Sequence, residues 1–338
     1  MAGFHMKHIS EKVLSLSIAA YQVENTLEKA MESLTGQESV LEKIEIIVVN
    51  DGSRDRTGEI AHSFERKYPG SVRVIDKENG GYGSTVNASL QAARGKYFKL
   101  LDGDDWFESE SLPAFLEFLS ASDADLVVSP YYEVRNDLKK LDDFHPEIPA
   151  KTLSLDAVML QSTLFAMHEL AVKTENLRAV SHPITEHCFY TDTEYNAMCF
   201  LKARTIARFD RPVYCYRMDV NGQSMSLTGV RKHYQDLITV THQVIGLYRN
   251  RGKDCGHNAE AVLERYVRHI IFSSSCGLMV LEDREEAKKR LRDYDQMILA
   301  RYPEEYRISS GSGFLRLMRR FHFTPFFVAR KYAMTKFY

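Results

Sequence analysis

Ile44-Glu45-Ile46-Ile47-Val48-Val49-Asn50-Asp51-Gly52-Ser53 sets a run of mostly β-branched residues directly before four turn formers. Such a run suits a strand buried on both faces of a parallel sheet, and Asn, Asp, Gly and Ser end it because they accept turn geometry. Working outward, Thr57–Tyr68 reads as a helix, and Glu24–Leu34 places Leu27, Ala30, Met31 and Leu34 at helical spacing. Val13–Ala20, Val72–Ile75, Tyr97–Leu101 and Leu126–Ser129 read as further strands, with Thr85–Ala93 and Leu112–Ser120 as helices. Strand and helix alternating across short turns predict a doubly wound α/β layer. Ligands bind such layers outside the carboxyl ends of the strands. Those ends carry Ala20-Tyr21, Asp51 and Asp102-Gly103-Asp104-Asp105.

From about Lys139 the alternation fades. Asp156–Glu169 looks helical, and Ala207–Met218 looks like strands around Pro212. After Gly229 the chain reads as three long amphipathic helices, Tyr234–Arg249, Ala259–Leu281 and Glu285–Tyr302. Gly311-Ser312-Gly313 then breaks the pattern before a basic, aromatic tail. We divide the chain into an α/β part, 1–230, and a helical part, 231–338.

A net charge of −2 gives no global attraction to nucleic acid or membrane, so any basic patch is local and no nucleic-acid partner is expected. The five cysteines have no Cys-x-x-Cys spacing and are odd in number, which argues against a disulfide framework and for a reducing compartment. No apolar run is long enough to span a bilayer, and Met1–Ser10 lacks the apolar centre of a signal peptide. The reading is cytoplasmic, with peripheral attachment to the inner face of a plasma membrane left open.

Asp102, Asp104 and Asp105 follow a buried strand, and three like charges so close need a counter-cation or good solvation. Mn²⁺ or Mg²⁺ takes oxygen ligands and often bridges carboxylates to substrate phosphates. The same acids also suit a turn that caps the next helix; Gly103 favours close ligand approach.

Three ordered segments carry a family resemblance. Ile46–Thr57 resembles the "VVNDGSxDxT" segment of the family 2 glycosyltransferases, which have the GT-A fold. Ala93-Arg94-Gly95-Lys96-Tyr97-Phe98 with Leu101–Trp106 resembles "ARGKYxxxLDxDDW", and Ile18–Glu24 is similar to "IPxYNxE". The resemblance covers residues 13–130 strongly and fades by about 228. It implies a mixed GT-A sheet and a nucleotide-diphosphate sugar donor. Tyr21 and Asp51 would hold the base, and Ala20, Asn79 and Gly103 are further candidates for contact with the nucleotide sugar. Asp102 and Asp104 match the DxD pair, Asp104 as metal ligand and Asp102 on ribose or metal, with Asp105 orienting them. Phe189–Tyr195 resembles the segment that supplies the general base of inverting transfer, which places Asp192 in that role; Glu194, two residues on, faces elsewhere. Tyr214–Arg217 and Gly222–Ser226 resemble "YxYR…GQSxS", which makes Arg217 and Gln223 candidates for the diphosphate or the acceptor.

Two departures stand out. Val86 replaces an arginine of "NxGxxxARN", and the Gly80–Ser84 loop could compensate by offering backbone N–H groups to phosphate at a helix start. The Gln-x-x-Arg-Trp segment of processive synthases is absent, which favours transfer of a single sugar. The expected activity is inverting transfer from a UDP-linked donor to a glycan, lipid-linked or polyol-phosphate hydroxyl, in a bacterial cell-surface polysaccharide pathway. The alternatives are a catalytically inactive nucleotide-sugar-binding or membrane-docking module, and a nucleotidyltransferase, whose phosphate loop after the first strand is missing. From Phe314 to Tyr338 the chain has six Arg and Lys, no acids, and eight aromatic residues, a composition suited to an anionic membrane surface or to packing on its own domain. Oligomerisation through the helical region is left open.

Overall fold

The computed structural model describes residues 12–161, 163–218, 226–253 and 255–337. Its N-terminal half is the expected layer. β1 (Leu14–Ala20) lies parallel between β2 (Ile44–Asp51) and β4 (Tyr97–Asp102), and β3 (Val72–Lys77) extends the sheet beyond β2. The crossovers are α1 (Leu27–Thr35), α2 (Glu38–Lys43), α3 (Thr57–Lys67) and α4 (Tyr82–Ala92). β2 is buried along almost its whole length, so its branched side chains pack against helices on both faces. Glu45, an acid inside that buried run, accepts from the Ser15 hydroxyl (2.7 Å) and the Arg94 guanidinium (2.7 Å), which satisfies its charge at the bottom of the sheet.

The chain continues through β5 (Trp106–Phe107), α5 (Leu112–Ala121), β6 (Leu126–Val128), β7 (Tyr131–Arg135), β8 (Leu138–Asp142), β9 (Leu153–Ser154) and β10 (Leu170–Lys173). Then come α6 (Thr174–Val180), α7 (Asp192–Leu201), β11 (Thr205–Arg208) and β12 (Tyr214–Arg217). β10 enters antiparallel between β4 and β6, so the main sheet, β3-β2-β1-β4-β10-β6-β11-β9, is mixed. A second sheet, β5-β12-β7-β8, stands beside the acidic turn after β4.

The helix expected over 156–169 does not form. Among the described residues, only Leu155–Ala157 makes a short 3₁₀ turn, and no regular element follows until β10. The backbone groups of this segment bond outward instead. Asn258 donates to the Leu155 and Val158 carbonyls (2.7 Å each), Arg265 to Gln161, and the Tyr266 hydroxyl to Phe165 (2.6 Å). Its apolar positions serve the interface with a distant helix, which local periodicity cannot distinguish from a helix of its own.

That distant helix is α9 (His257–Met279), which packs against α8 (Leu227–Arg249) and α7. α10 (Arg284–Arg301), α11 (Pro303–Ser309), α12 (Gly313–Arg320) and α13 (Phe326–Met334) complete the helical part. The Gly311–Gly313 break is a cap: the Ser312 hydroxyl accepts from the Leu315 N–H at the start of α12. Arg319 reaches Asp295 (2.8 Å) and the Tyr306 carbonyl, and Arg330 donates to the Met279 carbonyl (2.9 Å), so one face of the tail packs on the body. Among the described residues no helix is long and apolar enough to cross a membrane.

Candidate active site

The carboxyl ends of β1, β2 and β4 open onto one cavity of about 770 Å³. Ala20, Tyr21, Asp51, Asn79, Asp102, Gly103, Asp104 and Asp192 all line it. Asp105 and Arg217 stand behind this lining, and Gln223 lies outside the described residues.

Asp51 is nearly sealed from solvent. One of its oxygens accepts from Lys77 Nζ (2.8 Å) and the Gly80 N–H (2.9 Å); the other accepts from the Gly81 N–H (2.8 Å). Asn79 donates to its carbonyl. The two glycine N–H groups precede α4, so the anion at this helix start is Asp51 itself. The expectation that the Gly80–Ser84 loop receives phosphate is corrected accordingly. The glycines serve close packing: a Cβ on Gly83 would stand 2.1 Å from the Thr185 carbonyl, and Gly81 has φ 78° beside His187. Val86, where the family pattern has arginine, is buried in the core.

The acidic turn is built by β12. The Tyr214 hydroxyl donates to Asp105 (2.6 Å) and receives the Asp102 N–H (3.2 Å), while the Arg217 N–H donates to the other Asp105 oxygen (2.7 Å). Arg217 Nε donates to the Asp104 carbonyl (2.8 Å), and its guanidinium lies over the Trp106 ring. Both oxygens of Asp105 are thus occupied, whereas Asp102 Oδ1 is buried with no hydrogen-bond partner. Asp102, Asp104 and Asp105 each bring an oxygen within 4.8 Å of the others. Burial, then the charge of Asp104, pushes the Asp102 carboxyl up to about 7; burial also raises Asp104 and holds Asp105 well above the usual range. An orphaned oxygen among crowded carboxylates fits a hard divalent cation.

Asp192 begins α7 and lines the same cavity. Its side chain is open to the cleft, yet the surrounding walls raise its pKa by desolvation. Glu194 takes a different place: buried, it accepts from the His182 ring (2.9 Å) and the Thr185 N–H, bracing the segment before α7. That segment holds three non-glycine residues in left-handed backbone, Ser181, His187 and Tyr190 (φ 52°, 52° and 65°), a costly conformation typical of constrained functional loops.

Sequence patterns missed several lining residues. His168 packs against Tyr214 and Tyr216 (ring centroids 4.7 and 4.4 Å) and, desolvated, falls to about 3. Leu237 on α8 and His269, Ile270 and Ser273 on α9 close the far wall. Phe189, half exposed on the rim, packs tilted against His233 (ring centroids 3.8 Å). Apart from Phe189, which opens the Phe189–Tyr195 segment, these residues belong to no motif; only their partners across the fold mark them.

Residues 15–168 match the family described as Glycosyl transferase family 2. The uncharacterized glycosyltransferase EpsJ of Bacillus subtilis (strain 168) is 29% identical over 219 residues, 62% of this chain and 62% of its own. The minor teichoic acid biosynthesis protein GgaB of the same organism is 33% identical over 120 residues, 35% of this chain and 13% of its own. The chain therefore spans less than two thirds of either relative. Among solved structures, S. aureus TarS 1-349 in complex with UDP-GlcNAc superposes with a TM-score of 0.64 at 18% identity, over 88% of this chain and 90% of that one, a likeness of fold. With the strand-end acids of this cavity, these matches make residues 15–168 similar to the family 2 glycosyltransferases and give the chain a GT-A fold.

Proposed function

We propose that the chain transfers a single sugar from a UDP-linked donor to a hydroxyl of a glycan, lipid-linked or polyol-phosphate acceptor, with inversion at the anomeric carbon. One observation carries this: Asp102, Asp104 and Asp192 line one cavity together with Tyr21 and Asp51. A donor diphosphate held near the first pair leaves its sugar directed toward the third carboxylate.

Asp104 and Asp102 would hold Mn²⁺ or Mg²⁺, which supplies Lewis-acid stabilisation of the leaving diphosphate. Asp105, tied to Tyr214 and Arg217, fixes the direction of both ligands. Asp192 accepts the acceptor proton, and its raised pKa makes it a stronger base than a solvated aspartate. Tyr21, half exposed at the end of β1, offers a ring for the base to stack on, and Asp51, held rigid by Lys77, Gly80 and Gly81, an acceptor for a ring N–H. Donor chemistry falls to residues 1–230, while α8 and α9 of the helical part wall the acceptor side. The complexes of TarS with UDP-GlcNAc and of the Pyrobaculum calidifontis mannosyltransferase PcManGT with GDP-Man and Mn²⁺ support a nucleotide sugar and a divalent cation here. The relationship to teichoic acid proteins supports a cell-surface polysaccharide acceptor.

Calorimetric titration of UDP, GDP and dTDP, with and without Mn²⁺, tests the reading. The expected result is Mn²⁺-dependent binding of UDP that Asp104→Ala abolishes. Tighter binding of GDP or dTDP would change the donor, and metal-independent binding would remove Asp104 from the role given to it.

A further inference from the structure

The two tail helices present the same kind of outward face. On α12, Leu315 and Met318 are buried, while Arg316, Leu317, Arg320 and the following Phe321 are exposed. On α13, Phe326, Ala329, Arg330 and Ala333 are buried, while Phe327, Val328, Lys331 and Tyr332 are exposed. Both exposed sets follow i, i+1, i+4, i+5, which is one helix face. Phe314 against Tyr332 (4.8 Å) holds the two helices together. Leu317, Phe321, Phe327, Val328 and Tyr332 are between 41% and 68% exposed, an unusual amount of large apolar surface for one small region. Lys331 lies over the Phe327 ring and Lys336 over the Tyr332 ring, so cations and rings share the surface. Arg319 and Arg330 are consumed by anchoring; Arg316, Arg320, Lys331 and Lys336 remain outward. No acid occurs between Phe314 and Tyr338; the α9–α10 turn nearby carries Glu282 and Asp283, with Arg284 placed over Phe327.

We propose that this face docks on an anionic bilayer surface. The apolar side chains enter the headgroup layer and the four outward cations meet lipid phosphates. A second copy paired face to face would set like charges against each other, and a nucleic acid would offer no apolar phase to Val328 and Leu317. The proposal stands apart from the catalytic reading, since none of these residues lines the cavity.

Sedimentation of the full chain with vesicles of phosphatidylcholine, alone or mixed with phosphatidylglycerol, tests it. Removing residues 314–338 would strip Leu315, Met318, Phe326 and Phe337 from the core, so exposed positions are substituted instead. Binding is expected on the mixed vesicles only. Arg316→Gln and Arg320→Gln should each weaken it about fivefold. Phe321→Ala with Phe327→Ala should weaken it even at low salt, with a wild-type melting temperature. Equal behaviour on both vesicle types would overturn the proposal. So would substitutions that leave vesicle binding intact but abolish self-association or oligonucleotide binding.

Discussion

Asp51 and Asp192 are both acids at the edge of one cavity, and their surroundings assign them opposite work. Asp51 spends its carboxylate on Lys77 and two glycine N–H groups, so it is a fixed fixture; Asp192 is raised by desolvation and, among the described residues, meets no side-chain donor. Asp192→Asn should abolish transfer and leave UDP affinity within about twofold, as removal of a group acting only in the transition state does. A base works deprotonated, so the wild-type rate should fall on acidification with a midpoint above the roughly 3.9 of a free aspartate; a rate unchanged to pH 4 under saturating donor and metal would remove Asp192 from the role. His168 titrates the other way. Its folded value near 3 lies below that of an unfolded histidine, so its contribution to stability is complete above about pH 6.5 and is lost as pH falls toward 3. Its ring resonances should therefore stay fixed between pH 8 and 5, and a shift near pH 6.5 would contradict the burial. Asp51, Asp102, Asp104 and Asp192 were visible in the sequence because each sits in a local pattern beside a strand end or helix start. His168, His269 and Ser273 were not, because what makes them cavity residues is the strand or helix they face, hundreds of ångströms of chain away in some cases.

Among elements, α4 and the loop before α7 are fitted most tightly. Gly83 leaves no room for a methyl group against Thr185, and Gly80 and Gly81 give their N–H groups to Asp51. Gly83→Ala should cost about 1–3 kcal/mol of stability by overpacking. It should also weaken acceptor use more than UDP binding, because the displaced residues are Ile184 and Thr185, in the loop that leads to Asp192. Equal loss of both in steady-state kinetics would show that the loop serves the donor as well. The parallel strands were readable since their branched runs and turn formers are adjacent in sequence. The same glycines misled toward phosphate binding, because composition does not reveal that a carboxylate 29 residues upstream claims the Gly80 N–H. The 156–169 segment misled for a related reason, its backbone partners lying on α9.

At the scale of the molecule, one buried apolar cluster runs from β1 to α13, so the helical part is joined to the sheet rather than appended. Arg249 pairs in parallel with the fully buried Glu305 (2.7 and 2.8 Å) far from the sheet. Arg249→Leu should leave that acid uncompensated at roughly 2–3 kcal/mol, the lower end because Arg249 stands partly in water. Trp106, the sole tryptophan, reports on the sheet, and its fluorescence midpoint in urea should drop together with far-UV helicity. A Trp106 transition that does not move would mean the two parts unfold separately. α9 also has a metric consequence. Phe272 meets Phe314 of the tail, while the next residue, Ser273, faces the cavity. A surface resting against the tail and a hydroxyl lining the cavity are then held at a fixed separation by one stiff helix, which acts as a ruler. Acceptors tethered to lipid would be selected by the length of their stalk, and untethered ones would escape that measure.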